Sequence, residues 1–213
     1  MSKDKNQAII FDFDGVLADS FEIFVTTLSE LLGKPPLGHD VTQQLRGSST
    51  REILKRLDIK KWQIPKLIRQ GRRRMFEKMP SVEVFKGTEE MLKSTSKNYR
   101  LYILSTNDQQ AIAYLLGKYG LTSHITKIYS GTSIFGKSKR LASLLKKEKL
   151  LVRNCIYIGD ETRDIEAAHA IHMKCIAVGW GYCTPAILKT YNPDAFIAKP
   201  NQIEKTVKQL LQK

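Results

Sequence analysis

Five short apolar runs, spaced along most of the chain, constrain its fold more than any other feature. They are QAIIFDF (7–13), RLYILST (100–106), ITKIYS (125–130), NCIYIG (154–159) and KCIAVG (174–179). Amphipathic stretches at about 88–97, 109–119, 137–148 and 162–171 lie between them and predict helices. A strand that is apolar almost throughout must be covered on both faces, and alternation with helices makes the sheet parallel. The expected class is therefore α/β, a parallel sheet with helices on both sides. Ligands in such folds bind outside the carboxyl ends of the strands. Asp12, Ser105 and Asp160 all fall at or just beyond those ends.

The alternation breaks between residues 18 and 83. There the segments FEIFVTTLSELLG, VTQQLRG, STREILKRLDI and WQIPKLIRQGRRRMFEKM all read as helical, with Pro35, Pro36 and Pro80 as punctuation. A stretch of about 65 residues without a strand is too long for a simple crossover. It predicts a helical subdomain, 18–83, inserted after the first strand into a core made of 1–17 and 84–213. A chain of 213 residues with 42% hydrophobic content can supply one good core plus a small appended unit.

No run of 18 apolar residues is present, so no membrane-crossing helix is expected. The polar start MSKDKNQ lacks the apolar region of a secretory signal. Cys155, Cys175 and Cys183 show no paired spacing, and the first two sit in apolar runs as small hydrophobes. Together these predict a reduced, cytoplasmic protein. The net charge of +14 raises the question of nucleic acid. The cations are dispersed over KRLDIKKW, RQGRRRMFEK, GKSKRLASLLKKEK and KTVKQLLQK, and they read as solvated helix faces. RNA-binding signatures with interleaved aromatics are absent. A basic surface also suits phosphorylated substrates.

The chemistry gathers in four clusters: Asp12 and Asp14, then Ser105-Thr106-Asn107, then Lys137 in FGKSKR, then Asp160 and Asp164 in GDETRD. A carboxylate is ionised at neutral pH and attacks phosphorus without a general base. A hard cation such as Mg²⁺ takes one or two carboxylates together with a substrate phosphate. Asp12 and Asp160 are the candidate ligands, with Asp164 behind them. Lys137 and the Ser105 hydroxyl suit the remaining phosphoryl oxygens. Asp14 suits protonation of the leaving alkoxide and activation of water afterwards. Gly15 permits the tight turn that aims both acids at one point. Two positions stay open: Thr106 is an alternative to Ser105, although the length of LYIL favours Ser105, and Lys139 is an alternative to Lys137.

In order, DFDGV, LYILSTN, FGK and GDETRD resemble the four motifs of the haloacid dehalogenase-like hydrolases. The resemblance covers the whole chain, and the helical insertion resembles the small cap of the phosphoglycolate phosphatase-like branch. It implies a Rossmann-like, doubly wound core and an aspartyl-phosphate intermediate. By the same resemblance Asp12 is the nucleophile, and Asp14 is the acid/base whose backbone carbonyl also touches Mg²⁺. Ser105 and Lys137 bind phosphate, Asp160 ligates the metal directly, and Asp164 supports it from the outer shell. Gly136-Lys137 fits the family pattern better than Lys139.

The expected activity is Mg²⁺-dependent hydrolysis of a small phosphorylated metabolite, for which the resemblance suggests 2-phosphoglycolate. A phosphomutase of the same superfamily would use the same core. A dehalogenase has no need of Asp14. A basic regulatory module with a vestigial site is the rival from another class, and the full set of motif residues counts against it. A response-regulator receiver would lack the helical insertion. Within that insertion Arg46 is the candidate for a second anion on the substrate, because the guanidinium recognises carboxylate or phosphate by a fork; Ser48, Ser49 and Arg51 are neighbours for the same task. His169 and His172, three residues apart, read as helix-surface histidines rather than a metal pair. Trp180 is placed at the cleft mouth or in core or rim packing.

Overall fold

The computed structural model of the protein describes residues 6–35, 45, 48, 50–56, 59–131 and 136–212. Along the chain come β1 (Ala8–Phe11), β2 (Ala18–Asp19), α1 (Phe21–Leu31), α2 (Thr50–Arg56), α3 (Ile64–Lys78) and β3 (Glu83–Val84). Then follow α4 (Thr88–Thr95), β4 (Arg100–Leu104), α5 (Gln109–Lys118), β5 (Lys127–Tyr129), α6 (Lys137–Lys147) and β6 (Cys155–Gly159). The chain closes with α7 (Thr162–His169), β7 (Lys174–Val178), α8 (Pro185–Thr190), β8 (Ala195–Ile197) and α9 (Ile203–Leu211).

Six of these strands form one parallel sheet in the order β5-β4-β1-β6-β7-β8. The expected doubly wound, Rossmann-like α/β class is what forms. Alternate side chains build two apolar layers, as the pleat requires. Ile9, Phe11, Leu101, Ile103, Ile156 and Ile158 point to one face. Ala8, Ile10, Tyr102, Leu104, Cys155 and Tyr157 point to the other. All three cysteines are buried, and burial pushes each thiol upward.

The first strand sits at the centre, and the chain leaves it first to one side and then to the other. This is the topological switch point, where the carboxyl ends of β1, β4 and β6 border one crevice. The register is close: Phe11 pairs with both Ile103 and Ile158, so Asp12 is level with the ends of its neighbours.

Between β2 and β3 the regular elements are helical: α1, α2, α3 and short 3-10 turns, with no strand among the described residues. It begins and ends in a two-residue antiparallel ribbon, Ala18 against Val84 and Asp19 against Glu83, which no sequence pattern indicated. Phe21, Val25, Leu28, Ile53, Leu54 and Ile64 give these helices an apolar cluster separate from the sheet layers. Tyr182, from the loop after β7, inserts into that cluster, edge-on to Phe21 at 4.9 Å between ring centroids. On α3, Arg72 Nε donates to the Thr106 carbonyl at 2.8 Å, so the helices are tied to the loop after β4 as well.

Candidate active site

The loop from Phe13 to Ala18 turns back on itself, with the Leu17 and Ala18 amides both donating to the Phe13 carbonyl. Gly15 makes this possible in two ways. Its φ is +78°, and a Cβ there would lie 2.0 Å from Asp160 Oδ2. Gly181 fills the same role from the other side, where a Cβ would meet Asp160 Cβ at 2.3 Å. The two glycines let β1 and the loop after β7 close around the Asp160 carboxylate.

Asp12, Asp160 and Asp164 each present a carboxylate oxygen, and these oxygens lie within 4.8 Å of one another. All three side chains are buried. Lys137, first residue of α6, is buried with them and bridges two of them: its Nζ donates to Asp12 Oδ2 at 2.5 Å and also to Asp164 Oδ1. Lys139 on the same helix is exposed. Asp12 Oδ1 accepts from the Phe13 amide at 2.8 Å. Asp164 is held at the start of α7, where its Oδ2 accepts from the Asp160 and Glu161 amides at 3.1 and 3.0 Å as one half of a capping box.

The electrostatics follow from this crowding. Burial raises the Asp12 carboxyl to about 6, against the downward pull of Lys137. Burial also raises Asp160 well above the carboxylate range, and its neighbours Asp164, Glu161 and Asp12 add to the shift. For Asp164 burial acts upward too, but Lys137 and Arg163 outweigh it and hold the group low. For Lys137 burial acts downward, and Asp12 and Asp164 reverse it.

The donor set suits a hard divalent cation. Asp160 Oδ2 accepts from the Tyr182 amide at 2.7 Å, whereas Oδ1 is buried with no hydrogen-bond partner among the described residues. A buried carboxylate oxygen without a donor is costly. Next to two further carboxylates it matches the all-oxygen coordination that Mg²⁺ takes.

Asp14 lies half-buried at the rim of the cluster. Ser20 Oγ donates to its Oδ1 at 2.7 Å, and Asn107 Nδ2 reaches both oxygens at 3.2 and 3.1 Å. Burial raises its carboxyl, while Ser20 and Asn107 lower it by a smaller amount. Ser20 Oγ also lies 3.1 Å from the Tyr182 hydroxyl. Tyr182 thereby touches Asp160 through its amide and reaches Asp14 through Ser20. Ser105 is buried directly after β4, its Oγ accepting from the Asn107 amide at 3.0 Å. Thr106 is half-buried and lines the cavity above Asp14.

The structure thus brings Asp12, Asp14, Asp160, Asp164 and Lys137 together, with Ser105 and Thr106 at the neighbouring strand end. Arg46 and Ser49 lie outside the described residues, as does the side chain of Arg51; Ser48 is buried. His169 pairs with Asp194 at 3.2 Å on the surface. Trp180 packs on the first apolar layer and donates to the Val16 carbonyl at 3.1 Å. Sequence reasoning placed Asn107 in a cluster without giving it a role, and it missed Ser20, Arg163 and Tyr182. Asn107 and Arg163 stand inside LYILSTN and GDETRD, and Ser20 follows DFDGV by four residues; that adjacency was the available signal. Tyr182 carried none.

A match to the haloacid dehalogenase-like hydrolases spans residues 9–178. The chain is 34% identical to the phosphoglycolate phosphatase of Synechococcus elongatus, over 96% of this chain and 99% of that one. It is 26% identical to the phosphoglycolate phosphatase of Xanthomonas campestris, over 83% and 84%. Among solved structures, a haloacid dehalogenase-like hydrolase from Streptococcus pneumoniae superposes with a TM-score of 0.77 at 25% identity, over 94% and 97% of the two chains. The protein belongs to the haloacid dehalogenase-like hydrolase family.

Proposed function

We propose that this phosphoric monoester hydrolase acts on a small phosphorylated hydroxy acid, with 2-phosphoglycolate as the first candidate, through a phosphorylated Asp12. The observation that carries the reading is the cluster of three buried carboxylates bridged by Lys137, with a fourth acid, Asp14, beside it on separate hydrogen bonds. The relatives named above point the same way.

Mg²⁺ held by Asp12, Asp160 and the Asp14 carbonyl, with Asp164 behind them, would offset the negative charge of the carboxylates and of the substrate phosphate. The protein's residues do the rest. Lys137 and Ser105 hold phosphoryl oxygens and stabilise the charge that spreads over them. An Asp12 oxygen attacks phosphorus, and the bond to the leaving oxygen breaks. Asp14, whose raised carboxyl keeps a proton available, gives it to that oxygen. The product alcohol departs and leaves an aspartyl phosphate. Asp14 then takes a proton from water as the water attacks phosphorus, and inorganic phosphate leaves with Asp12 restored. Two acids with separated environments suit two roles.

We assign residues 1–17 and 84–213 to this core and residues 18–83 to a cap over the cleft. The supporting features are the separate apolar cluster of the helices and the ribbon at their entry and exit. The test is phosphate release from 2-phosphoglycolate by the purified protein, with Mg²⁺ and with EDTA. Turnover that needs the metal and vanishes in Asp12→Asn is expected. Release that survives EDTA, or persists within tenfold in Asp12→Asn, overturns the mechanism.

A further inference from the structure

Between α1, α3 and the strand-end loops lies a cavity of about 120 Å³. Its helical side is apolar, with Phe24, Leu28, Leu54, Ile64 and Ile68. Its floor is polar and includes Asp14, Asn107 and Arg163. Asp12 and Lys137 are not among its lining residues and are buried.

Arg163 is 9% exposed. Two of its nitrogens are taken by one oxygen, since Nε and Nη2 donate to Glu161 Oε1 at 2.8 and 2.5 Å. Nη1 is buried and has no partner among the described residues. A buried guanidinium N–H without an acceptor carries the desolvation penalty of a charged group. The arrangement is that of a side chain held through two nitrogens, with the third unmatched, in the lining of the cavity. Because Arg163 shares the cavity with Asp14, a ligand of that nitrogen is on the leaving-group side of the phosphoryl centre.

We infer that Arg163 determines specificity by binding a carboxylate at the far end of the leaving group, while the apolar wall of the helices covers the carbons between. A carboxylate fits because a guanidinium edge pairs with its two coplanar oxygens. A neutral leaving group would leave Nη1 unmatched. The assignment rests on the phosphatase reading above and names the residue that reads its substrate class.

The experiment compares 2-phosphoglycolate with ethyl phosphate, which has a methyl group in place of the carboxylate. The proteins are the parent, Arg163→Gln, and Glu161→Gln with Arg163→Gln, the last removing the pair together so that no buried charge is left alone. Losing one charge-assisted contact predicts that kcat/KM for 2-phosphoglycolate falls about 10- to 100-fold more than that for ethyl phosphate in both variants. A parallel fall for both substrates, or no fall for either, overturns the inference. Calorimetry of 2-phosphoglycolate binding in an Asp12→Asn background separates this from the mechanism. Binding that depends on Arg163 without turnover in the parent keeps the subsite and sinks the phosphatase reading. A parent that hydrolyses ethyl phosphate as well as 2-phosphoglycolate does the reverse.

Discussion

Asp12→Asn should stabilise the metal-free protein at neutral pH while removing its activity. Burial holds the Asp12 carboxyl at about 6 in the fold, against 3.8 ordinarily. The folded state therefore keeps a proton that the unfolded chain gives up. For a group raised in this way, the favourable contribution is present below pH 4 and is lost as pH rises through 6. The difference, 3.8 to about 6, corresponds to about 3 kcal/mol at 1.36 kcal/mol per pH unit. An amide does not ionise and escapes that loss. Urea unfolding in EDTA at pH 4, 5.5 and 7.5 measures it. The parent should lose stability relative to Asp12→Asn over this range, ending about 3 kcal/mol below it. Millimolar Mg²⁺ should recover much of the parent's deficit, because a cation that binds only the folded, ionised site stabilises by mass action. A difference between the two proteins that stays flat with pH, or changes in the opposite direction, would refute the reasoning that the acid cluster is strained without a cation.

Three further outcomes follow from the geometry. Asp160→Asn replaces the carboxylate that has an unpartnered buried oxygen, and calorimetry should show Mg²⁺ affinity reduced at least about tenfold, the usual scale for a lost charged ligand contact; unchanged affinity excludes Asp160 as a ligand. Gly15→Ala introduces a side chain at φ +78° and into Asp160, so thermal melting should show a loss of at least about 1–2 kcal/mol together with weaker Mg²⁺ binding; parent-like values mean that the turn relaxes freely. Ser20→Ala removes a hydrogen bond that lowers the Asp14 carboxyl, so Asp14 should keep its proton to higher pH and the alkaline limb of the kcat profile should move upward; a downward move places the acid elsewhere.

Tyr182 connects these effects. Its ring packs against Phe21 and Phe24 of the helical segment, its amide holds Asp160, and its hydroxyl meets Ser20 beside Asp14. A shift of α1 relative to the sheet therefore reaches a proposed metal ligand and the proposed acid through one side chain.

The sequence by itself determined the class of the fold and the location of its chemistry. Strands buried on both faces have to be apolar throughout, so β1, β4, β6 and β7 were legible from composition alone, and acids directly after such runs mark the carboxyl edge. The family followed from the same residues. Among elements with little burial, β5 was legible from ITKIYS, but others were not. The paired two-residue strands β2 and β3 are too short for a period, and the edge strand β8 has three residues, only one of them buried. In α9 the buried Ile203 and Val207 are set among lysines that made the tail read as a solvated face. The tertiary structure alone decided which partner each charge meets. Lys137 and Lys139 stand two residues apart on one helix, yet only the first faces the acids, because a helix turns about 200° in two residues. Tyr182 lies 162 positions from Ser20, a pairing that no local pattern encodes. Arg163 stood in plain view inside GDETRD, but its unpartnered nitrogen exists only because Glu161 occupies the other two in the folded loop.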